Sequence, residues 1–229
     1  MKELLDTLIS DARVWQGSQQ AQTTLPAEPT GFSALDLQLA GVGWPRGALT
    51  ECLLPAPGIG ELQLVLPLMR RQLEAGKTVF WINPPYTPYA PALEREGLNL
   101  AQIVVVHTQD QADALWSLEN CLRSPVTGLV MAWPTRLKSR EMRRLQLAAE
   151  AGDSLCILFR PTGAADNSSP AALRLQLEPG QNHALDIRIL KRRGGWAAEH
   201  CTLALPDRAP VRPDTATSVV RGPWPERNR

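Results

Sequence analysis

At the centre of the chain's organisation stands one continuous stretch, Ala48-Leu49-Thr50-Glu51-Cys52-Leu53-Leu54-Pro55-Ala56-Pro57-Gly58-Ile59-Gly60-Glu61. Its first seven residues are mostly apolar and predict a buried strand, whereas the prolines and glycines that follow predict a turn. An amphipathic segment comes next, from about Leu62 to Ala75, and Gly76 is placed to end it as a helix C-cap. The stretch therefore predicts a strand, a glycine-containing turn and a helix.

A phosphate-binding loop has this layout, but the groups that bind nucleotide are missing here. Such a loop uses N–H groups freed by glycine, a lysine on the terminal phosphates and a Ser/Thr hydroxyl on Mg²⁺. Gly58 and Gly60 allow the bend after Pro57, yet Glu61 stands where the lysine would be and Leu62 replaces the hydroxyl. A carboxylate repels phosphate; alternatively, Glu61 simply complements the helix dipole. The sequence predicts a degenerate nucleotide-site loop and a protein that is not an enzyme.

Composition narrows the classes of protein. The chain has 229 residues and a formal net charge of +1, so nothing global attracts it to nucleic acid or membrane. Its four cysteines stand far apart and form no CxxC pair, which indicates reduced thiols in a cytoplasmic protein. Three scattered histidines predict no metal site, and we expect no cofactor. No apolar run approaches a membrane span of roughly 20 residues, and the N-terminus lacks a signal-peptide region.

Four regions are predicted. Residues 1–16 form an amphipathic helix, which docks either on its own core or on another protein. Residues 17–30 form a polar linker that contains two prolines. Residues 31–205 form the core, and the Pro/Arg-rich tail 206–229 is predicted to be disordered.

Strands and helices alternate through most of the core, which predicts an α/β fold with a mostly parallel central sheet flanked by helices. The predicted strands after the first are 78–82, 103–106, 129–133 and 154–159. From 173 onward the pattern changes to short alternating strands, at 173–177, 185–189 and 201–205. These predict an antiparallel C-terminal extension at the edge of the sheet.

Two basic groups in the core are candidate contacts for DNA or a partner. The first comprises Arg188, Lys191, Arg192 and Arg193, which could touch phosphates or an acidic partner. The alternative is a solvated strand end. The second lies on the predicted helix 139–151 and comprises Arg140, Arg143 and Arg144. Together with Arg136 and Lys138, just before the helix, these residues form the densest basic patch of the sequence. The alternative is a solvated helix face.

Aromatic residues mark two further candidate surfaces. In the tail, Arg221, Trp224 and Arg227 form a candidate partner-binding segment, because an exposed tryptophan is a common binding hot spot; a merely solubilising tail is the alternative. Tyr86 and Tyr89 lie among prolines, either exposed on a stiff loop or packed over an empty nucleotide pocket.

Several stretches resemble known families. Residues 30–36, 76–82 and 189–193 are similar to segments of the RecA recombinase. The stretches 43–51, 84–93, 145–152 and 190–195 resemble ImuA, a RecA-like family associated with translesion DNA synthesis and distantly similar to the cell-division inhibitor SulA. The resemblance covers about residues 30–205 and implies a RecA-like P-loop NTPase core. The sequence departs from RecA at Asn83-Pro84-Pro85, where RecA has an acidic residue, and at Ala132-Trp133-Pro134, where a Walker-B aspartate would bind Mg²⁺.

The ImuA resemblance implies a non-catalytic adaptor in SOS-induced translesion synthesis and mutagenesis after DNA damage. Its implied partners are ImuB, an error-prone DNA polymerase and RecA, with direct DNA contact left open. The alternative is a SulA-like inhibitor of cell division that binds FtsZ.

Overall fold

The computed structural model describes residues 26–39, 43–193 and 200–206. The predicted helix 1–16 lies outside these residues, and so do the tail candidates Arg221, Trp224 and Arg227. Part of the predicted linker is described. There, Ala27–Glu28 is a short strand that pairs antiparallel with Trp44–Pro45.

The described residues form a mixed α/β structure. Its strands are β1 Ala27–Glu28, β2 Trp44–Pro45, β3 Ala48–Leu54, β4 Thr78–Ile82, β5 Ile103–Val106, β6 Thr127–Ala132, β7 Leu155–Pro161, β8 Leu173–Pro179, β9 Ala184–Arg192 and β10 His200–Ala204. Its α-helices are α1 Ser33–Gln38, α2 Glu61–Glu74, α3 Ala90–Arg95, α4 Gln111–Arg123 and α5 Ser139–Gly152. Two 3₁₀ helices span Leu100–Gln102 and Thr162–Asp166.

Eight of the strands form one sheet in the order β10-β9-β8-β3-β7-β6-β4-β5. The six strands from β8 to β5 run parallel, which confirms the predicted mostly parallel sheet. β9 and β10 add to it in antiparallel fashion. The prediction for β8 holds on one side only: β8 pairs antiparallel with β9 as expected, but it pairs parallel with β3 on its other side, so the antiparallel extension begins beyond β8.

Helices cover the sheet on both faces, and two hydrophobic clusters fill the spaces between. One cluster joins α1 and α2 to the sheet through residues such as Leu35, Leu68 and Ile157. The other joins α4 and α5 to the opposite face through residues such as Leu118 and Leu145. All seven residues of β3 are buried, because this strand is covered on both faces and flanked by β7 and β8. The mostly apolar run Ala48–Leu54 is thus a central strand of the sheet.

Helix α2 begins and ends as its sequence indicates. Gly76, at φ 73°, follows the helix, and the N–H groups of Gly76 and Lys77 donate to the carbonyls of Leu73 and Gln72. This is a Schellman motif, in which a left-handed glycine lets the last carbonyls be satisfied. Pro67 lies inside the helix without ending it.

The sequence offers three large apolar residues of helix α5 to the core, Met142, Leu145 and Leu147, and the structure buries two of them. Met142 and Leu145 are buried, but Leu147 is 59% exposed. The helical period explains the difference, because Leu147 lies two residues beyond Leu145 and so on another face. Leu147 therefore belongs to the surface and not to the core.

Candidate functional site: a closed glycine loop and an exposed apolar surface

The glycine loop between β3 and α2 has the backbone shape of an anion-binding turn. Gly58 has φ 93° and Gly60 has φ 110°, and both angles lie in the region that favours glycine. Gly60 is the N-cap of α2. Three of the four predicted loop residues, Gly58, Gly60 and Glu61, line one cavity of about 530 Å³, whereas Pro57 is exposed outside it.

The carboxylate of Glu61 occupies the donor that a phosphate would use. The Gly58 N–H donates to Glu61 Oε1 at 2.8 Å and to Oε2 at 3.1 Å. Glu61 is only 3% exposed and stands at the N-terminus of a 14-residue helix, where negative charge is favoured. The loop therefore carries its own anion, and a bound phosphate would have to displace a buried carboxylate.

The end of β10 closes the loop further. Leu205 packs against Gly60 so tightly that a Cβ at that position would overlap the leucine side chain. No lysine or arginine is among the described residues that line the cavity, so no cationic side chain there pairs with Glu61. In this arrangement Glu61 accepts the N–H of its own loop at the N-terminus of α2, and the cavity lining has no lysine or arginine to bind a triphosphate.

An aromatic cluster occupies the position where a Walker-B aspartate would bind Mg²⁺. Trp133, just after β6, stacks on Phe159 with ring centroids 5.0 Å apart and lies 5.7 Å from Trp81. In the ranges that the structure describes, no group of three or more His, Cys, Asp or Glu side chains is arranged to hold a metal ion.

Asn83 has a structural role at the start of the proline loop, by which we mean residues 83–89 after β4. Its Oδ1 accepts from the Thr108 N–H and its Nδ2 donates to Thr108 Oγ1, both at 2.8 Å. These two bonds tie the loops after β4 and β5 together while Asn83 adopts φ 49°. An amide side chain with both ends engaged has no free group to activate water.

The basic run at the end of β9 is partly used inside the fold. Lys191 Nζ donates to the Ser169 carbonyl at 2.6 Å, and Arg192 Nη1 donates to the Gln38 carbonyl at 3.1 Å. Burial, together with the nearby charges of Arg174 and Arg193, lowers the pKa of Lys191. Arg188 and Arg193 are exposed. The structure thus leaves two of these four cations clearly on the surface.

The basic face of α5 is exposed, and one of its arginines also bridges to α4. Arg140, Arg143 and Arg144 all lie at the surface. Arg144 Nη2 donates to Glu119 Oε2 at 2.5 Å, while Arg123 Nη2 contacts Glu119 Oε1 at 3.2 Å. These contacts lower the pKa of Glu119. Arg140 and Arg143 remain available to a partner.

Exposed apolar side chains form the other candidate surface. Tyr86 is 71% and Tyr89 55% exposed, which supports the exposed-loop interpretation over packing across the nucleotide pocket. Sequence reasoning missed Trp116, which is 67% exposed on α4, and the exposed Val104 and Val105 of β5. For Trp116 a signal existed, because it falls outside the apolar stripe of Ala114, Leu115, Leu118 and Leu122. β5 ends the sheet, so its outer edge has no strand partner among the described residues.

No helix within the described ranges is long and apolar enough to cross a membrane. The four cysteines are all free, and Cys52 and Cys156 are buried, where burial raises the pKa of each thiol.

These features define a mixed α/β protein whose glycine loop is closed by its own carboxylate. A family model described as the cell division inhibitor SulA matches residues 49–156 of it, just under half of the chain. Among similar curated proteins, the SulA of Edwardsiella piscicida is 31% identical over 101 residues, which cover 44% of this chain and 60% of the relative. The SulA of Pectobacterium atrosepticum is 26% identical over 152 residues, which cover 66% of this chain and 90% of the relative.

A weaker similarity links the chain to RecA. Protein RecA of Nitratidesulfovibrio vulgaris strain DP4 is 27% identical over 137 residues, which cover 57% of this chain and 38% of that protein. The chain spans 60% and 65% of the length of two of the SulA relatives that it matches, those of Edwardsiella piscicida and Photorhabdus laumondii.

The predicted function as an adaptor in translesion synthesis is wrong. The family model and several curated relatives indicate similarity to a cell-division inhibitor instead. The resemblance to ImuA has no support among these matches, which name SulA and, more weakly, RecA.

Proposed function

We propose that the protein is a SulA-like inhibitor of cell division that acts by binding FtsZ. The observation that carries the proposal is the match of the SulA family model to residues 49–156, which run from β3 to β7. Inhibition by binding needs a surface and no catalytic group. The closed glycine loop fits this requirement, because it is a stable helix start and not a reaction centre.

The matched segment also limits where the partner surface can lie. It contains the exposed residues Tyr86, Tyr89 and Trp116 and the basic face of α5. It excludes the basic run at the end of β9 and the tail residues. A function shared with SulA would therefore use the proline loop, the β5 edge or the helices α4 and α5, since tyrosine, tryptophan and arginine are the side chains most often central to binding.

Expression in a growing bacterial host tests the function. The wild-type protein should block septation, so that cells lengthen without dividing while growth in mass continues. Tyr86→Ser combined with Tyr89→Ser should restore division at equal protein level. Leu37→Ser is the matched control, because Leu37 is 77% exposed but lies outside the matched segment. Normal division at high wild-type expression would count against the proposal.

Three predictions from the sequence remain proposals beside it. The RecA-like P-loop NTPase core is one, supported by the weak RecA similarity and by the strand–loop–helix shape around Gly60. The absence of nucleotide hydrolysis is the second, supported by the Glu61 carboxylate in the loop. The cytoplasmic location is the third, and its support is the likeness to a protein named as a cell division inhibitor.

The partners predicted from the ImuA resemblance, namely ImuB, an error-prone polymerase and RecA, stay predictions. Affinity capture of the wild-type protein from cells with damaged DNA separates them from FtsZ. Recovery of FtsZ, reduced by the Tyr86/Tyr89 double substitution, is the expected result.

A further inference from the structure

Three charged side chains are buried together between β3, β7 and β8. Glu51 is fully buried, and Arg160 and Arg174 are 5% and 7% exposed. Arg160 Nη1 lies 2.5 Å from Glu51 Oε1, and Arg174 Nε lies 2.7 Å from Glu51 Oε2. One carboxylate thus faces two guanidinium groups. The cluster holds a surplus positive charge in a place where unpaired charge is costly.

The two arginines are satisfied to different degrees. Arg174 donates through Nη1 and Nη2 to the carbonyls of Ala164, Ala165 and Asn167, at 2.7 to 3.3 Å. Its Nε contact with Glu51 is an ion pair without hydrogen-bond alignment. Arg160 donates through Nη1 to Glu51, while its buried Nε has no hydrogen-bond partner. Both Nε groups therefore lack a hydrogen-bond partner, but Arg160 makes one side-chain hydrogen bond where Arg174 makes three, so Arg160 has the larger unused donor capacity.

Arg160 also lines a cavity of about 490 Å³ at the carboxyl ends of β6 and β7. In parallel sheets ligands bind at this end of the strands. The cavity volume falls within the roughly 300 to 1,000 Å³ typical of small-molecule sites. The polar side chains that line it are Gln111, Thr135, Arg136, Lys138, Arg160 and Asn167. None of them belongs to the glycine-loop cavity.

The electrostatics of this cavity favour a doubly charged anion. Arg136 and Lys138 add two exposed cations to the buried pair, and Lys138 is the N-cap of α5, where the helix dipole is positive. Two carboxylates bond to members of this group, Glu51 to the two buried arginines and Glu141 to the Lys138 backbone. Glu141 already accepts from the Lys138 N–H at 2.7 Å and from Gln111 Nε2 at 3.4 Å. Four cations against two carboxylates leave a surplus of about two charges.

We infer that this cavity binds a small organic phosphate monoester, with Arg160 at its base and Arg136 and Lys138 at its rim. A phosphoryl group is a dianion with three acceptor oxygens and matches both the charge surplus and the unused donors. Gln111 and Asn167 can hydrogen-bond the organic part. A nucleic-acid strand suits the cavity less well, because none of its described lining residues is aromatic and able to stack on a base. The site does not depend on the proposed inhibition of division.

Isothermal titration calorimetry on the full chain tests the site with four probes: phenyl phosphate, benzoate, inorganic phosphate and oligothymidylate. Phenyl phosphate should bind at least about tenfold more tightly than benzoate, since only the phosphoryl group is a dianion. It should also bind more tightly than inorganic phosphate, because its organic part adds contacts in the cavity. Arg136→Gln and Lys138→Gln should each weaken its binding about tenfold. Both side chains are exposed, so folding is preserved, as circular dichroism would verify.

Arg143→Gln is the matched control, because Arg143 is an exposed cation of α5 that does not line the cavity. Its binding of phenyl phosphate should equal that of the wild type. The inference is overturned if phenyl phosphate gives no heat at millimolar concentration, if benzoate binds equally well, or if Arg143→Gln weakens binding as much as Arg136→Gln. Binding of oligothymidylate alone would assign the cavity to nucleic acid and overturn it too.

Discussion

At the scale of single residues, one carboxylate takes the place of a ligand in the glycine loop, and another is the counter-charge of two buried arginines. Glu61 accepts the N–H of Gly58 within its own loop, and Glu51 pairs with two buried arginines. The sequence alone predicted that Glu61 is incompatible with phosphate, because its position after Gly60 is local information. The packing of Leu205 on Gly60 was not predictable, because the two residues are far apart in the chain.

Substitution of Glu51 should be among the most damaging single changes. Glu51→Gln leaves two buried guanidinium groups without a counter-charge, so we expect the free energy of unfolding to fall by about 3 to 5 kcal/mol. Urea denaturation measures this change. Glu74→Gln on the exposed end of α2 is the control and should change stability by less than about 0.5 kcal/mol. A loss below about 1 kcal/mol for Glu51→Gln would mean that the cluster is not a coupled unit.

Glu61 allows a test of the closed loop. The wild-type protein should release no phosphate from ATP above background, because its loop has neither a lysine nor a Mg²⁺ ligand. Glu61→Lys should not create turnover either, since Leu62 and Ala132 still lack the groups that hold the metal. A coupled phosphate-release assay measures both. Wild-type turnover well above background would show that the loop binds nucleotide productively despite Glu61.

At the scale of elements, strands and helices with strong local patterns were predicted correctly. The order from β3 to β7 and the helices α2, α4 and α5 follow from apolar period, glycine and proline positions. The pairing of β8 did not follow, because the alternation of Leu173 to Leu177 is the same for a parallel or an antiparallel neighbour. The Arg160–Glu51–Arg174 cluster was also missed. It forms only because β7 and β8 both lie next to β3, and the sequence does not show which strands are neighbours.

The contact between α4 and α5 should respond to acid. Arg144 and Arg123 hold the folded-state pKa of Glu119 below its ordinary value of 4.5. The ion pairs therefore stabilise the protein at pH values above about 4.5, and this contribution is lost as pH falls through the lower, folded-state pKa. At pH 7, Glu119→Gln should cost about 0.5 kcal/mol, a small effect because the arginines are half exposed.

Thermal unfolding of wild type and Glu119→Gln at a series of pH values measures this linkage. The difference in melting temperature should be constant from pH 7 to about 5 and should close at lower pH. A difference that grows with acidity would contradict the assigned direction of the pKa shift.

At the scale of the whole molecule, fold class and function were predictable to different degrees. The alternation of strands and helices was enough for an α/β sheet. It was not enough to separate an adaptor from a division inhibitor, because both interpretations used the same core without catalytic groups. The segment matched by the SulA family model, residues 49–156, lies within the core and does not include the tail.

The proposed role of the proline loop in binding FtsZ can be measured in vitro as a change in affinity. Tyr86→Ser with Tyr89→Ser should weaken binding to FtsZ about tenfold or more, because exposed tyrosines commonly serve as hot spots. Surface plasmon resonance measures the affinity. Leu37→Ser should bind as the wild type does. Equal losses in both variants would indicate a general defect and no particular role for the proline loop.

Sedimentation of FtsZ polymers tests the central claim most directly. FtsZ is assembled with GTP, the wild-type protein is added in steps to a molar excess, and the pelleted FtsZ is measured after ultracentrifugation. A SulA-like inhibitor should lower the pelleted fraction progressively until little polymer remains at equimolar protein. An undiminished pellet at molar excess would contradict the assignment.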